Sequence, residues 1–585
     1  MSEDRSQTAD PIEVCLDLRQ PANHLLGVNL EFTPVHASLQ LSLPAWTPGS
    51  YLIRDYVRHL EGLEVQQQGR SWRPKRVDVA TWELDLPCLE RICIQYSILA
   101  TELSVRTCHL DADHGFLALA AVVLLVTGQR WNPLRLNLDL PSGWQAFVPL
   151  PEVGRNSWWA RDFDQLIDSP VEAGPHPSHD FQVAGVRHRW VGWGGDLPRL
   201  DRRWLDDVSK LCLACCRLMG VARPAASDYL FILHLRDHGF GGLEHDAASV
   251  LMFGRRALRQ SAGRRHLLQL VAHEYLHQWN VRRLRPAELC PYEYSLPTII
   301  PTLWFAEGVT SYYDQLLPVA AGLCAEADLL EDLGADLSRY LLTPGRSVQS
   351  LRQSAEEAWV KVYRQDAWSG DCQISYYLKG AVLSLVLDLH LRRSGACLAA
   401  VLQTLWNSFG ASRRGYHEHD LIGAFSSFSP DLEQLLPAWL NQTDDPDLQS
   451  YLAEIGLSLR PQLENTADAG WSLEAGEVAG LRLRRLTRHG PAALAGLQVG
   501  DELLAIDDQR ILKPEDVLHH LALGEADKPL HPQLVILFCR DGRVRRTTLC
   551  VKGAGIERWT LQLDPAAQPL AIQRRQRWMR LDPEP

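Results

Sequence analysis

The stretch Val271-Ala272-His273-Glu274-Tyr275-Leu276-His277-Gln278-Trp279-Asn280 is the starting point, because it holds His-Glu-x-x-His among apolar residues typical of a buried helix. A spacing of four places His273 and His277 on one helical face, where two imidazole nitrogens can bind zinc. Glu274 lies beside His273 and can act as general base for an attacking water. A short motif of this kind also occurs in ordinary helices, but a metal would compensate for burying its polar groups.

A second stretch, Trp304-Phe305-Ala306-Glu307-Gly308, contains a candidate third ligand, Glu307, some way after His277. The pattern predicts a further helix that is stopped by Pro318. Two histidines and one glutamate leave a fourth position open for water, which is the arrangement of a catalytic rather than a structural zinc site. The sequence therefore predicts one zinc ion per chain.

The chain before these motifs has the alternating pattern of an all-β region, with strands predicted at 14–18, 39–43, 81–86 and 92–96. Trp46-Thr47-Pro48-Gly49-Ser50-Tyr51 is a turn signal with no chemistry of its own. The glycine-rich stretch 239–245 is predicted to pass close to a ligand and to present Glu244. On this stretch alone, Glu244 is equally well explained as a solvated loop acid.

A chain of 585 residues is long enough for three or four domains. The predicted fold class is multidomain α+β. The predicted domains are an N-terminal β domain at 1–174, a mainly α catalytic domain at 175–452, a β-rich module at 453–566 and a basic tail at 567–585. A formal net charge of −12 argues against a general nucleic-acid binder, because contact with phosphates needs concentrated Lys and Arg.

Several features favour a cytoplasmic protein. The first ten residues are polar, unlike an export signal, and the longest apolar run, 116–126, is too short to span a bilayer and is predicted to form one or two buried strands. Thirteen cysteines, an odd number, fit a reducing compartment. Cys212, Cys215 and Cys216 are interpreted as reduced core thiols rather than as a metal site.

The C-terminal half holds three further features. A long apolar helix is predicted to open at 374–381, where Tyr376 and Tyr377 are either core residues or donors to a reacting carbonyl. The stretch 490–508, with its Gly-Asp-x-Leu-Leu, resembles a PDZ domain, although its nearest carboxylate-binding loop, Ala479-Gly480-Leu481, is poorly formed. The basic tail 574–580 favours a surface helix or a frayed end over a nucleic-acid arm.

Together these motifs resemble the glycyl aminopeptidase family of zinc peptidases. The resemblance covers nearly the whole chain and rests on five stretches: 46–51, Asp168-Ser169-Pro170-Val171-Glu172, Gly241-Gly242-Leu243-Glu244-His245, 273–280 and 304–308. It implies an N-terminal β domain, a thermolysin-like zinc peptidase domain and a C-terminal PDZ domain.

Residue by residue, the resemblance makes His273, His277 and Glu307 the zinc ligands and Glu274 the general base. Gly241-Gly242-Leu243-Glu244 is similar to the exopeptidase motif of aminopeptidases, in which the glutamate binds the substrate's free α-amine. Tyr377-Leu378-Lys379-Gly380 is similar to their Tyr-x-Lys-Gly, which makes Tyr377 the oxyanion donor, with Tyr376 in reserve. Ser311 stands where thermolysin has an aspartate, so support for a ligand histidine must come from elsewhere.

The leading hypothesis is a zinc aminopeptidase that removes a small N-terminal residue, Gly or Ala, from peptides. The small first residue follows from the resemblance alone. One alternative is an endopeptidase whose PDZ domain presents substrate, and another is a PDZ-based interaction protein with vestigial activity. The expected partners are peptide substrates and a peptide or protein ligand of the PDZ domain, with no nucleic acid and no membrane. The oligomeric state stays open.

Overall fold

A computed structural model describes residues 10–194, 202–476 and 480–582. The predictions for the first nine residues and for Ala479 lie outside these ranges. The chain divides into two compact units. The first runs to Ile300 and includes Leu316–Cys324 and Ala399–Ala424, and the second comprises Pro301–Gln315, Ala325–Leu398 and the chain from Phe425 onward. The predicted domain boundaries stay predictions.

The first unit begins with β-structure, as predicted. Its strands up to residue 174 are β1 Ile12–Asp17, β2 Leu25–Phe32, β3 Ser38–Ser42, β4 Leu60–Gln67, β5 Arg70–Trp72, β6 Lys75–Asp78, β7 Thr81–Asp85, β8 Ile92–Leu99, β9 His109–Leu110, β10 Gly115–Leu117, β11 Leu125–Val126, β12 Leu134–Asp139, β13 Gln145–Phe147, β14 Glu152–Gly154, β15 Ser157–Ala160 and β16 Val171–Gly174. They form an eight-stranded sheet and two four-stranded sheets. A short helix, α1 Phe163–Ile167, precedes β16.

The four strands predicted from alternation correspond to β1, β3, β7 and β8. In β1 every second side chain is buried, which is the pattern of a strand with one face on the core. The apolar run 116–126 is buried as predicted, but it forms two short strands, β10 and β11, separated by a 3-10 helix at Leu119–Ala121.

The rest of the first unit is built on a five-stranded sheet of β17 Ser178–Val183, β18 Val186–Trp193, β19 Asp228–Arg236, β20 Phe240–Glu244 and β21 Ala248–Gly254, in the order β17-β18-β19-β21-β20. Strands β18, β19 and β21 are parallel. The helices of this region are α2 Arg202–Leu218, which lies between β18 and β19, and α3 Arg255–Leu258 and α4 Gly263–Leu276, which follow β21. Helix α4 packs on α2, β20 and β21. This packing sets the His-Glu-x-x-His helix against the edge strand β20.

The remaining chain up to residue 454 is mainly helical. Its elements are a π-helix at Trp304–Gly308, α5 Val309–Ala320, α6 Glu326–Leu341, α7 Leu351–Glu356, α8 Ser369–Cys372, α9 Tyr376–Arg393, α10 Leu398–Leu405, a second π-helix at Trp406–Gly410, α11 Glu418–Ser426, α12 Leu432–Asn441 and α13 Leu448–Glu454. Pro318 does not stop its helix, because α5 continues to Ala320. The predicted apolar helix is α9, and Ser375 caps its first turn by accepting from the backbone N–H of Tyr377.

The C-terminal part of the second unit is β-rich, as the PDZ resemblance implies. Its elements are β22 Leu457–Asp468, β23 Trp471–Ala475, β24 Leu481–Leu486, α14 Pro491–Leu494, β25 Glu502–Ile506, β26 Gln509–Arg510, α15 Pro514–Leu518, β27 Gln533–Arg540, β28 Arg543–Cys550, β29 Lys552–Leu563 and α16 Pro569–Arg580. Strands β23, β24, β25, β27 and β28 form one sheet with β26 attached, and β22 pairs with β29. Strand β23 is an edge of that sheet.

The basic tail is a docked helix rather than a frayed end. Trp578 of α16 is fully buried, and its indole N–H donates to the Tyr312 hydroxyl at 2.7 Å, which in turn donates to Asp388 at 2.7 Å. Arg575 binds Glu326 and the carbonyl oxygens of Ile455 and Gly456. The arginines of the tail flank Trp578 in the sequence, and this tryptophan belongs to the core of the second unit.

Replacing Trp578 with alanine is expected to lower the free energy of unfolding by about 3–5 kcal/mol, because it removes a fully buried indole and leaves a cavity beside Tyr312. Urea unfolding measures this change. Leu570 is the matched control, since it lies on the same helix but is 58% exposed, and its alanine variant is expected to change stability by less than about 0.5 kcal/mol. Equal losses in the two variants would contradict the docking of α16.

Within the ranges described, no helix combines the length and the apolar character needed to cross a bilayer. The three clustered cysteines of α2 are buried thiols, as predicted. Burial raises the pKa values of Cys212 and Cys215 well above the usual range and that of Cys216 to about 12. These thiols are therefore poor metal ligands at neutral pH.

Candidate active site

The two histidines of the His-Glu-x-x-His motif converge at the C-terminal end of α4. Their Nε2 atoms lie 3.0 Å apart, and the ring planes are nearly perpendicular at 85°. Nδ1 of His277 lies 2.6 Å from the carbonyl oxygen of Asn280. Because a carbonyl only accepts, Nδ1 carries the hydrogen, and a neutral His277 turns a lone pair on Nε2 toward His273. Two imidazole nitrogens in this arrangement fit a divalent metal.

The support for His277 comes from the chain that leaves the helix. His277 is the C-cap of α4, and the turn that follows brings Asn280 back to the imidazole. A backbone carbonyl that holds the second ring nitrogen fixes the tautomer and the ring orientation of a metal ligand. The carbonyl of Asn280 therefore supports His277, although Ser311 stands where thermolysin has an aspartate.

Glu274 is buried at the same helix end, with 4% of its surface exposed. Its carboxylate lies directly against the backbone of Gly242 on β20, and a Cβ atom at that position would overlap it. Gly242 is therefore required for its lack of a side chain. The Gly242 carbonyl accepts from Arg106 at 3.2 Å, which anchors the strand from its other side.

Glu244 lies on an edge strand and not in a loop. Phe240–Glu244 forms β20, which pairs antiparallel with β21, and Glu244 is 3% exposed. The alternative of a solvated loop acid is excluded by this burial. Of the glycines in this motif, Gly242 makes a close approach, and the group approached in this structure is the carboxylate of Glu274, whereas a Cβ atom at Gly241 would meet nothing within 4 Å.

The turn 46–51 has a role that its sequence does not reveal. Gly49, in the left-handed region with φ of +84°, packs against Glu244, and a Cβ atom there would lie 2.6 Å from both carboxylate oxygens. Any side chain would displace the glutamate. This stretch, which the sequence indicates only as a turn, therefore forms part of the surface that packs against the Glu244 carboxylate.

Three polar side chains of the first unit lie close together. Each of Glu244, Glu274 and His277 has one possible metal-ligand atom within 4.8 Å of those of the other two, and all three residues are buried. Oε1 of Glu244 is buried without a hydrogen-bond partner among the described residues. A buried, unsatisfied carboxylate oxygen is costly unless a ligand with donors binds to it.

The end of β20 is held by a buried ion network. Asp168 accepts from the backbone N–H of Asp246 at 2.8 Å, faces Nδ1 of His245 at 3.1 Å and pairs with Arg282 at 2.7 Å. Burial would lower the pKa of Arg282, but its acidic neighbours, Asp168 foremost, together outweigh burial and hold the pKa well above its usual range. The network fixes the two residues that follow Glu244, and so positions its carboxylate.

Glu307 belongs to the second unit and lies in the π-helix that precedes α5, with 2% of its surface exposed. The next residue, Gly308, touches Gly380 of α9, and a Cβ atom at Gly308 would lie 2.5 Å from the Gly380 Cα. The two glycines let the π-helix and α9 pack backbone to backbone. This brings the segments of Glu307 and Tyr377 together, and π-helices of this length are frequent at functional sites.

Tyr377 is the better placed of the two candidate tyrosines. It lines a cavity of 460 Å³ in the second unit, together with Gln373 and Ser375. Burial, reinforced by the charge of Glu307, raises the pKa of Tyr377 well above its usual range, so the hydroxyl stays protonated at neutral pH. Tyr376 is fully buried in α9, which is the core role that its sequence also allowed.

Three residues take part in this arrangement without having been predicted as site residues. Tyr363 lies between the two tyrosines, with its hydroxyl 2.9 Å from that of Tyr377 and 3.1 Å from that of Tyr376. Gly49 and Asp168 are the others. The last two lie in stretches that the family resemblance already singled out, whereas nothing in the sequence around Tyr363 distinguishes it.

The sequence of each region matches a known family model. Residues 13–175 match the Peptidase M61 N-terminal domain, residues 266–383 match M61 glycyl aminopeptidase and residues 484–534 match a PDZ domain. No protein in the curated set gives a significant sequence match.

The fold is similar to that of a protein of solved structure. An aminopeptidase N family protein from Idiomarina loihiensis aligns at 27% identity with a TM-score of 0.89, over 96% of this chain and 99% of its own. An M1 zinc metallopeptidase from Deinococcus radiodurans aligns at 16% identity with a TM-score of 0.48, over 75% of this chain and 95% of its own. The matched domains follow one another in the order that the residues described above suggest, and the chain is a metallopeptidase that contains regions matching the M61 N-terminal, M61 glycyl aminopeptidase and PDZ domain models.

Proposed function

We propose that this protein is a zinc aminopeptidase that hydrolyses the N-terminal peptide bond of peptides with a small first residue, Gly or Ala. The observation that carries the proposal is the meeting of Glu244, Glu274 and His277, with an unsatisfied oxygen on Glu244. A general base and an acceptor for an ammonium group stand beside a metal-binding histidine. The small first residue is supported by the family description alone.

The proposed metal ligands are His273, His277 and Glu307, which together hold one catalytic zinc. The support is the 3.0 Å separation of the two Nε2 atoms, the tautomer set by Asn280 and the burial of Glu307. A bound zinc would polarise the scissile carbonyl and acidify the attacking water. The fourth ligand position is left to water and substrate, as in other catalytic zinc sites.

Glu274 would take the proton of the attacking water and deliver it to the leaving amine. Its place against Gly242 holds the carboxylate in one position, because the backbone of β20 blocks movement toward that side. A base that is already oriented needs no rearrangement during the reaction.

Glu244 would bind the free α-ammonium group of the substrate and so set which bond is cut. An ammonium group has three donors and would satisfy the oxygen that has no partner in the described residues. A peptide held at its first residue by Glu244, with Glu274 close by, presents its first peptide bond to the base.

Tyr377 would donate its hydroxyl to the oxyanion that develops on the carbonyl oxygen. Its position on the cavity and its protonated hydroxyl support this role over Tyr376. Tyr363 would orient that hydroxyl through their 2.9 Å contact.

We also propose a peptide or protein ligand for the PDZ domain and a cytoplasmic location. Strand β23 is an edge of its sheet and could accept an added strand. Many of the cysteines are free thiols, among them Cys108, Cys212 and Cys290, which fits a reducing compartment.

Peptide hydrolysis with free and blocked amino termini tests the proposal. The wild-type protein is expected to cut glycyl and alanyl peptides, to lose activity with a chelator and to ignore N-acetylated peptides. Glu244→Gln, which keeps the shape and removes the charge, is expected to lower kcat/KM for free peptides about 100-fold, because the ammonium loses its charge partner.

The control is Glu152→Gln on the exposed strand β14, which should behave as wild type. Cleavage of blocked peptides at rates similar to those of free peptides would favour the endopeptidase alternative. Chelator-resistant cleavage, or no zinc in the purified protein, would contradict the proposal altogether.

A further inference from the structure

A second group of metal-ligating side chains lies in the first unit and shares no residue with the proposed catalytic site. The group consists of Glu172 on β16, His114 just before β10 and His234 on β19. One possible metal-ligand atom from each lies within 4.8 Å of the others. Nδ1 of His114 is 2.9 Å from Oε1 of Glu172, and Nε2 of His234 is 2.8 Å from Oε2. A third imidazole, from His176, places its Nε2 3.1 Å from Oε1.

The group is almost completely removed from solvent. Glu172, His114 and His234 have no exposed surface, and the side chain of His176 is only 12% exposed. Trp193 stacks on His114 at 4.1 Å between ring centroids, and Phe116 packs edge-on against His234 at 4.8 Å. A carboxylate in such surroundings is costly unless a cation compensates its charge.

The partners of Glu172 are all imidazoles. In the described part of the chain, the ion pairs of this carboxylate are those with His114, His176 and His234, and none involves Lys or Arg.

The hydrogens of two of these rings lie toward Glu172. A carboxylate only accepts, so Nδ1 of His114 and Nε2 of His234 donate to it in the metal-free protein. Nε2 of His114 and Nδ1 of His234 are buried and have no hydrogen-bond partner among the described residues. A metal bound between these rings and Glu172 would therefore require each ring to carry its hydrogen on the far nitrogen instead.

We propose that His114, Glu172 and His234, with His176 as fourth ligand, bind a second divalent transition-metal ion of the zinc class. In a tetrahedral zinc site with bonds of about 2.0–2.1 Å, neighbouring ligand atoms are roughly 3.3 Å apart. The observed 2.8–3.1 Å between the imidazole nitrogens and the carboxylate oxygens is slightly shorter than this separation. One ligand atom each of His114, Glu172 and His234 lies within 4.8 Å of the others, so binding an ion requires these side chains to shift. Three imidazoles and one carboxylate are a ligand set that zinc accepts.

The proposed role of this ion is structural. The four ligands come from the protein and leave no position for substrate, which distinguishes the site from a catalytic zinc. His114 and Glu172 belong to the sheet of β10 and β16, whereas His234 belongs to the central strand of the five-stranded sheet. The ion would join the two sheets, and β21, the neighbour of β19, pairs with the strand that carries Glu244.

Cobalt binding to the full-length variant His273→Ala/His277→Ala tests the proposal without altering the cluster. This variant lacks two proposed catalytic ligands, so one equivalent of Co²⁺ bound with four-coordinate visible absorption is expected to report the second site alone. A chelator is expected to lower its melting temperature. Absence of stoichiometric cobalt binding would overturn the proposal, and would show that the buried carboxylate is balanced by a proton on one imidazole.

Adding Glu172→Gln or His234→Gln to the His273→Ala/His277→Ala variant is expected to abolish binding of the one remaining equivalent of Co²⁺. His188→Gln is the matched control, because His188 is an equally buried histidine on β18 whose partners are Tyr275 and a carbonyl, with no carboxylate. It is expected to keep the metal. Retention of the equivalent in both Glu172→Gln and His234→Gln would overturn the ligand assignment.

If the Glu172 and His234 variants do not fold, the His176→Ala variant tests the ligand assignment instead, because His176 lies at the partly exposed edge of the cluster. It is expected to weaken Co²⁺ binding at least tenfold and to change the visible spectrum. An unchanged affinity and spectrum would exclude His176 as a ligand and overturn the four-ligand site. Because every variant is made without His273 and His277, the outcome is independent of the proposed catalytic zinc.

Discussion

Replacing Glu274 with glutamine is expected to lower kcat for glycyl and alanyl amide substrates by about 10²- to 10⁴-fold, while zinc content stays at the wild-type level. Glutamine has nearly the same shape and still fits against Gly242, but it cannot accept the proton of the attacking water. The loss should therefore fall on kcat more than on KM. Steady-state hydrolysis of an aminoacyl anilide, with metal analysis of the same sample, measures both.

A loss of metal together with activity would point to a damaged site rather than to a missing base, so the metal analysis is part of the test. Glu288→Gln serves as a control, because Glu288 lies outside the group formed by Glu244, Glu274 and His277. It is expected to leave kcat unchanged. Full turnover by Glu274→Gln would exclude Glu274 as the base and with it the proposed mechanism.

Replacing Tyr377 with phenylalanine is expected to lower kcat by about 10²- to 10³-fold, which corresponds to the loss of one oxyanion donor. The ring remains, so the walls of the 460 Å³ cavity and the packing of α9 should persist. KM should change little, because the donor acts on charge that develops only in the transition state. The measurement is the same anilide assay at saturating substrate.

The neighbouring tyrosines provide the comparison. Tyr376→Phe removes a hydroxyl from a fully buried side chain and is expected to keep most of the activity. Tyr363→Phe removes the group that contacts both hydroxyls and is expected to cause an intermediate loss. A larger loss from Tyr376→Phe than from Tyr377→Phe would assign the oxyanion role to Tyr376.

Local patterns account for what could be predicted. The alternation of residues in β1 and the helical spacing of His273 and His277 each depend on the geometry of a single element, which a short window of sequence contains. Glu274 lies next to His273 for the same reason. These residues could be predicted to act together because they are within one turn of each other.

The predictions that failed involved the surroundings of an element. Glu244 reads as a loop residue because Gly239, Gly241 and Gly242 are poor strand formers, yet pairing with β21 makes the stretch an edge strand. Pro318 reads as a helix stop but lies inside α5. The arginine-rich tail reads as a surface segment, whereas the burial of Trp578 against Tyr312 holds it in the core.

The sequence by itself determined the fold class, the His-Glu-x-x-His helix with its proposed base and the resemblance to a family of zinc peptidases. The tertiary structure alone decided that Gly49 packs on Glu244, that Gly242 packs on Glu274 and that three histidines surround Glu172. The physical reason is the distance along the chain. Side chains one helical turn apart are brought together by backbone geometry, whereas residues separated by up to some two hundred positions meet only when packed sheets and helices place them in contact.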